Sequence, residues 1–427
     1  MRVRLVIAVS LLTLVASACT GRSPGALERD RAHDPSRVPL PAETLLLGTG
    51  DGPVAVQAPA GSVVLRAPGA VASPDGSLVY STSTRGPSTL LETRSGVTGD
   101  RVSTTRIRGE LQVRVVSRSG RAAALMEPLP NGWDPWTPIP RARTRIAVAD
   151  PSGEGETRRY DLEGNFEPEA FSTDDRSLFL IQHLPAEAPL VYRVTRLDLN
   201  RGRVFPVFGP FKAPAERMPG TRLQQVSSPD GGQLYTLYSS ARAGYAPHDA
   251  PVPSTAVVAF IHVLDLDDGW AHCVGLPEAM WDRPTSAQAM AAAPDGRSLY
   301  VVDAELGIVA RMDTETLQVR TGELDLPSTD SIERTTATVS TDGGTLFVGT
   351  GGVRSAVTAI DVATFDTIGH WTMDGSVSGL GLSSDGFRVY AALGNRVAVL
   401  DPASGLELGV VPLLTPGPVT SLVALGD

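Results

Sequence analysis

The chain has 427 residues and a formal net charge of −10, a balance that argues against nucleic acid as a partner. Aromatic residues make up 5% of it, whereas glycine occurs 43 times and proline 34 times. This composition predicts many tight turns around a core of mostly aliphatic residues.

The first eighteen residues have the organisation of an export signal. A short basic start, residues 1–4, precedes an apolar stretch over residues 5–15 that is too short to span a membrane. Small residues at 16–18 lead directly into Cys19. This arrangement resembles the lipobox of bacterial lipoproteins, although Ala16 stands where those proteins usually have Leu. The resemblance implies that Cys19 receives a diacylglycerol and anchors the protein at the extracytoplasmic face of the cell membrane. The alternative is an ordinary secreted protein in which Cys19 falls there by chance.

Residues 20–43 are rich in Pro, Arg, Ser and Asp and show no apolar period. Such a segment predicts a disordered tether between the anchor and a folded domain. The predicted organisation is therefore a signal peptide over 1–18, lipidated Cys19 with its linker over 19–43, and one domain over 44–427.

From residue 73 onward a four-residue turn recurs, with Ser-Pro-Asp-Gly as its clearest form. Proline presets the second position of a type I turn, and glycine accepts the left-handed conformation that follows. A strand-like run comes after each copy, which predicts a hairpin. Clear copies lie at 73–76, 228–231 and 293–296, and weaker ones at 172–175, 340–343 and 383–386.

A second signature lies downstream in each repeat, where an apolar run ends in Asp and a turn. The aspartates are Asp150, Asp198, Asp265, Asp313, Asp361 and Asp401. We interpret them as turn caps that bind backbone N–H groups, because the spacing of a calcium-binding loop is missing. Each unit thus contains four short strands, and such units repeated around a ring form a β-propeller.

The chain resembles the bacterial YVTN-type and WD-repeat-like propeller proteins. The matching residues are the Ser-Pro-Asp-Gly turns, the Leu-Tyr-Val-Val strand at 299–302 and the Ile-Asp-x-x-Thr stretch at 360–364. The resemblance implies an all-β propeller from about Thr44 to the C-terminus. It implies little about function, because the group includes binders, scaffolds and unrelated enzymes.

The number of blades follows from the inner strands. Seven can be placed, before Asp75, Gly120, Asp175, Asp230, Asp295, Asp342 and Asp385. Residues 418–425 form one more inner strand, and three strands near the N-terminus lack one. Joining the two termini in one blade closes the ring and gives eight blades, with seven as the alternative.

The long connections are predicted to share one face of the ring, since they join second to third strands or one blade to the next. Long loops on a rigid scaffold commonly carry function. The predicted ligand-binding residues on these loops are Trp133, Trp136, Tyr245, His248, Trp281 and Arg283. The alternative is that the aromatic side chains fold back and pack within their own loops.

Catalytic motifs are absent from the sequence, and no metal or cofactor is expected. We interpret Cys273 as a buried, inert thiol on an outer strand. A pairing of His183 with His248 as metal ligands or bases is a less favoured alternative. The inner strands at 288–292, 377–382 and 419–422 are small and apolar, which favours a binder. We therefore expect a monomeric, non-catalytic module for a protein, peptide or glycan partner. The alternative is an extracytoplasmic propeller enzyme of the lactonase, quinone-dependent dehydrogenase or lyase type.

Overall fold

The repeats fold into antiparallel four-stranded sheets, and eight of these sheets follow one another around a ring. The computed structural model describes residues 40, 42–130, 137–209, 218, 220–239, 259–281, 283–326, 332–414 and 418–426. Several pairs of neighbouring sheets make contact through their innermost strands. The ring belongs to one compact unit, Leu40–Asp427.

The chain enters the ring with three strands that lack an inner neighbour, and then builds complete blades in order. Blades 1 to 4 each use four consecutive strands, the first of them innermost. The strands are β1 (Glu43–Thr49), β2 (Gly52–Ala58) and β3 (Ser62–Arg66); in blade 1, β4 (Val71–Ala72), β5 (Leu78–Arg85), β6 (Ser88–Ser95) and β7 (Arg101–Arg108); in blade 2, β8 (Gln112–Val116), β9 (Ala123–Met126), β10 (Arg143–Ala149) and β11 (Arg158–Glu163); in blade 3, β12 (Asn165–Phe171), β13 (Ser177–Leu184), β14 (Val191–Asp198) and β15 (Arg203–Pro206); in blade 4, β16 (Thr221–Ser227), β17 (Gln233–Ser239), β18 (Ala259–Asp265) and β19 (Ala271–Gly275).

Blades 5 to 7 repeat this pattern, and blade 8 combines the last strand of the chain with β1 to β3. The strands are, in blade 5, β20 (Gln288–Ala292), β21 (Ser298–Asp303), β22 (Ile308–Asp313) and β23 (Val319–Glu323); in blade 6, β24 (Ile332–Val339), β25 (Thr345–Gly352), β26 (Ala356–Asp361) and β27 (Thr367–Thr372); in blade 7, β28 (Val377–Leu382), β29 (Val389–Leu393), β30 (Arg396–Leu400) and β31 (Glu407–Pro412); in blade 8, β32 (Val419–Leu425). Helix among the described residues is limited to two 3-10 turns, Glu278–Met280 and Thr285–Ala287. None of the described helices has the length and apolarity needed to cross a membrane.

Closure by the two termini confirms the prediction of eight blades and excludes seven. Strand β32 pairs antiparallel with β1, with Leu45 opposite Ala424. Glu43 adds a second link, because its carboxylate accepts a hydrogen bond from the Ser384 backbone N–H at 2.8 Å and another from the Tyr390 hydroxyl. The seam is therefore held by a strand ladder and by a buried carboxylate.

The recurring turns have the predicted geometry. In the first copy Asp75 accepts hydrogen bonds from the Ser73 hydroxyl at 2.6 Å and the Ser77 backbone N–H at 3.1 Å. Gly76 has a φ of 73°, and Asp175 takes the same left-handed conformation with a φ of 59°. The aspartates at the ends of third strands also act as turn caps, since Asp313 accepts from the Thr316 backbone N–H at 2.7 Å. Local side chains thus shape each hairpin.

Candidate functional site

The two faces of the ring differ in the length of their connections. One face, which we call the long-loop face, holds the connections from the second to the third strand of each blade and the connections from one blade to the next. The remaining turns lie on the opposite face, the short-turn face. The longest connections, 127–142, 207–220, 240–258 and 276–287, all belong to the long-loop face. The predicted asymmetry is therefore present in the strand order.

Most of the predicted site residues fall outside the described residues: Cys19, Trp133, Trp136, Tyr245 and His248. Trp281 and Arg283 are described, and both tie the connection 276–287 to the ring.

The Trp281 side chain is half-buried against the core shared by blades 4 and 5. Its indole N–H donates to the backbone carbonyl of Leu276 at 2.8 Å. Arg283 pairs with Asp303 at 3.3 Å and with Glu305 at 2.7 Å. These contacts follow the alternative in which such side chains pack within their own loop, and contact with a ligand stays a prediction.

A cavity opens on the long-loop face between blades 3 and 4. Its interior has room of about 50 Å³ for the centres of water-sized groups, and it is open to solvent. Apolar walls come from Leu129 and Pro138 at the two ends of a blade 2 connection and from Leu190 in blade 3, and the polar lining includes Glu167, His183, Tyr192 and Arg222. An apolar pocket with a few convergent polar groups is the usual form of a ligand site.

Charged side chains meet at the inner end of this cavity. Arg222 on β16 reaches across to Glu169 on β12, with 2.8 Å between Nη2 and Oε2. The Glu169 side chain is fully buried, and Gln225 donates to its other oxygen at 2.9 Å. Glu167, two residues earlier on β12, lies 3.4 Å from Arg114 and 3.4 Å from Arg141. Three arginines from neighbouring blades thus surround two glutamates on one strand.

Burial alters the titration of this cluster. It raises the pKa of Glu167 and of Glu169, and the nearby arginines offset part of the rise. Burial, assisted by Arg141 and Arg222, lowers the pKa of His183 to about 4. His183 is therefore neutral at neutral pH and has a nitrogen that can accept a hydrogen bond. Clustered perturbed groups of this kind concentrate at functional sites.

Aromatic rings continue the seam between blades 3 and 4 outward from the charges. Tyr192 and Tyr238 stack with ring centroids 5.2 Å apart, and Tyr238 stacks on Phe260 at 5.1 Å. His183 meets Tyr192 edge-on at 6.2 Å. The cavity therefore offers flat apolar surfaces beside fixed charges of both signs.

Sequence reasoning missed this cluster because it judged the inner strands from blades 5, 7 and 8. Those strands are small and apolar as described, but β8, β12 and β16 carry Arg114, Glu167, Glu169 and Arg222. A sequence pattern does mark this strand: Glu167 and Glu169 lie two positions apart, and therefore on one face, in a strand that leads into the recognisable turn at 172–175. The expectation of few ionisable groups on inner strands is wrong for blades 2 to 4.

Among the described residues, the remaining histidines (His262, His272 and His370) and Cys273 do not line this cavity. His370 lies on the outer strand β27, away from a turn, and Cys273 lies on outer strand β19 as expected but is only half-buried. Within the described part of the chain, no group of three His, Cys, Asp or Glu side chains could hold a metal ion.

Solved structures with the same architecture support the fold. Apo AztD from Citrobacter koseri aligns with a TM-score of 0.55 at 12% identity, covering 90% of this chain and 98% of that one. The dihydro-heme d1 dehydrogenase NirN, in complex with DHE, aligns with a TM-score of 0.52 at 16% identity, covering 90% of this chain and 76% of that one. Identities this low show the propeller fold alone. No protein-family model and no curated protein sequence matches the chain.

Proposed function

We propose that this propeller is a lipid-anchored, extracytoplasmic binding module that holds a peptide or glycan of its partner in the cavity between blades 3 and 4. The observation that carries the proposal is that Arg222 and Glu167 line the cavity beside apolar and aromatic walls, with Arg141 paired to Glu167. The proposal places membrane attachment at Cys19, on the strength of the signal-like sequence before it.

The cavity chemistry suggests what the partner presents. Guanidinium groups favour a carboxylate or another anionic group, while Glu167 and neutral His183 can accept hydrogen bonds from hydroxyl or amide groups. Leu129, Pro138 and Leu190 offer apolar surface to an aliphatic group. A small group of the partner would enter this pocket, and the rest of the partner would lie across the long-loop face. Trp133, Trp136, Tyr245 and His248 remain proposed as further contacts there.

The test compares two exposed leucines in a pull-down with solubilised cell-envelope extract. Leu190 lines the cavity and is 41% exposed, whereas Leu406 is 50% exposed in a short turn of blade 7. Purified full chain carrying Cys19→Ser should capture a partner, Leu190→Asp should lose at least about tenfold of it, and Leu406→Asp should behave like the parent. Equal capture by the two variants would refute the cavity as the binding site.

One observation favours an enzyme as a second candidate. Glu167, with a raised pKa, and neutral His183 line the same cavity, and pairs with altered titration are typical of acid–base catalysis. A lactonase or lyase would use them on a substrate within the ring. Turnover of a sugar lactone or uronic-acid oligosaccharide that is lost in Glu167→Gln would replace the binding proposal.

A further inference from the structure

Two sulfur atoms meet at the outer end of the seam between blades 3 and 4. The Cys273 thiol on β19 donates to the Met218 sulfur, with 3.2 Å between Sγ and Sδ. Met218 is 3% exposed, and its backbone is held by two hydrogen bonds to Tyr192, at 2.7 and 3.0 Å. The two sulfurs are thus brought together by different blades and are fixed by the ring.

A histidine faces the same place. His262 on β18 lies directly opposite Cys273 on β19, so the two side chains leave the sheet on the same side about 5 Å apart at their Cβ atoms. His262 is 2% exposed, and its Nδ1 has no hydrogen-bond partner among the described residues. A buried nitrogen without a partner is costly, and such a group requires an explanation.

We propose that Cys273, Met218 and His262 form a binding site for one soft monovalent metal ion, Cu(I). Thiolate and thioether sulfur select Cu(I), and imidazole also suits copper. On binding, the Cys273 thiol releases its proton, and the thiolate, the thioether sulfur and the free imidazole nitrogen become the three ligands. This site is separate from the proposed partner-binding function, which does not require it.

Charge favours a monovalent ion over Zn²⁺. A thiolate and Cu(I) cancel, so the loaded site adds no net charge to a buried seam that already contains Arg222. Zn²⁺ would leave an excess positive charge, and its protein sites are usually completed by four Cys, His or carboxylate ligands. Methionine supplies the third donor here, and the half-buried Cys273 gives the ion a route from the outer edge of the blade.

The experiment measures withdrawal of Cu(I) from its bicinchoninate complex under anaerobic conditions. The full chain carrying Cys19→Ser is used, which leaves Cys273 as the only thiol because the sequence has 2 cysteines. We expect one Cu(I) per chain, and X-ray absorption should show sulfur and nitrogen ligands. Cys273→Ser should abolish binding, and Met218→Leu, which conserves volume, should weaken it about tenfold or more.

A matched control and a metal control complete the design. Met312→Leu alters an equally buried methionine in blade 5 and should bind like the parent, as should the cavity variant Leu190→Asp. If Cys273→Ser fails to fold, the Cu(I) affinity of Met218→Leu and the X-ray absorption spectrum of the parent still test the proposal. The proposal is overturned if the parent takes no Cu(I), if Met218→Leu keeps the parent affinity, or if Zn²⁺ binds as tightly as Cu(I).

Discussion

At the scale of single residues, the seam between blades 3 and 4 contains groups that folding alone does not require. Burying an ion pair such as Arg222 with Glu169 costs several kcal/mol of desolvation, and apolar residues of similar volume often serve stability as well. The boundary around Tyr390 and Leu45 is filled mainly by aliphatic side chains, with the buried carboxylate of Glu43 beside them. The burial of Arg222 with Glu169 is therefore not explained by stability alone.

His262 gives a residue-scale prediction about pH. Its pKa is lowered from 6.5 to about 3 in the folded chain. Between pH 6.5 and pH 3, His262 is therefore protonated in the unfolded chain but neutral in the folded chain. Stability must then fall as the pH drops below 6.5, by about 2 kcal/mol between pH 7 and pH 5 from this group alone. Urea unfolding at both pH values should show a loss that is smaller by this amount in His262→Phe. The exposed His370→Phe should retain the full loss, and an identical loss in all three proteins would contradict the prediction.

At the scale of elements, charged residues are unevenly distributed over the inner strands. Inner strands β8, β12 and β16 carry charges, and β24 carries Glu333 and Arg334, whereas β20, β28 and β32 are mostly small and apolar. Side chains of β8 and β16 both reach glutamates on β12, so charges on three successive blades form one cluster. The residues on these three inner strands therefore decide where on the ring the candidate site lies.

Strand β32 carries the second prediction. Ending the chain at Thr415 would remove β32 and leave β1 unpaired, exposing an edge at the point where the ring closes. We expect the shortened protein to lose cooperative thermal unfolding, measured by calorimetry.

Two neighbouring residues provide a milder test of the same seam. Leu422 is 5% exposed and faces the core, whereas Val423 is 45% exposed. Leu422→Asp should lower the melting temperature strongly, and Val423→Asp should change it little. A chain ending at Thr415 that melts like the full chain would show that closure does not stabilise the ring.

At the scale of the whole molecule, long connections on one face and short turns on the other make the two faces of the ring different. The cavity, its apolar walls and the ends of the longest connections all belong to the long-loop face.

The proposed lipid anchor supplies the third prediction, because it would depend on one atom, the Cys19 sulfur. Cys19→Ser should move the protein from the membrane fraction to the soluble fraction, measured by fractionation and immunoblotting. Cys273→Ser is the matched control and should stay with the membrane. Unchanged membrane association of the Cys19→Ser protein would exclude the lipid anchor.

The sequence by itself determined the architecture. Turn residues such as Ser73, Asp75 and Gly76 interact within a few positions of one another, so the turn can be identified from the sequence. The number of times that the turn recurs indicates the number of blades. The unpaired strands at the two ends likewise predicted the closing blade, because an exposed edge needs a partner.

Only the tertiary structure decided where the chemistry lies. Arg114, Glu169 and Arg222 belong to three different repeats, and nothing local marks them as neighbours. The same is true of Cys273 and Met218, whose sulfurs meet because blade 4 packs against blade 3. Turns are set by short-range hydrogen bonds, whereas a site in a ring depends on which side chains the closed circle places face to face.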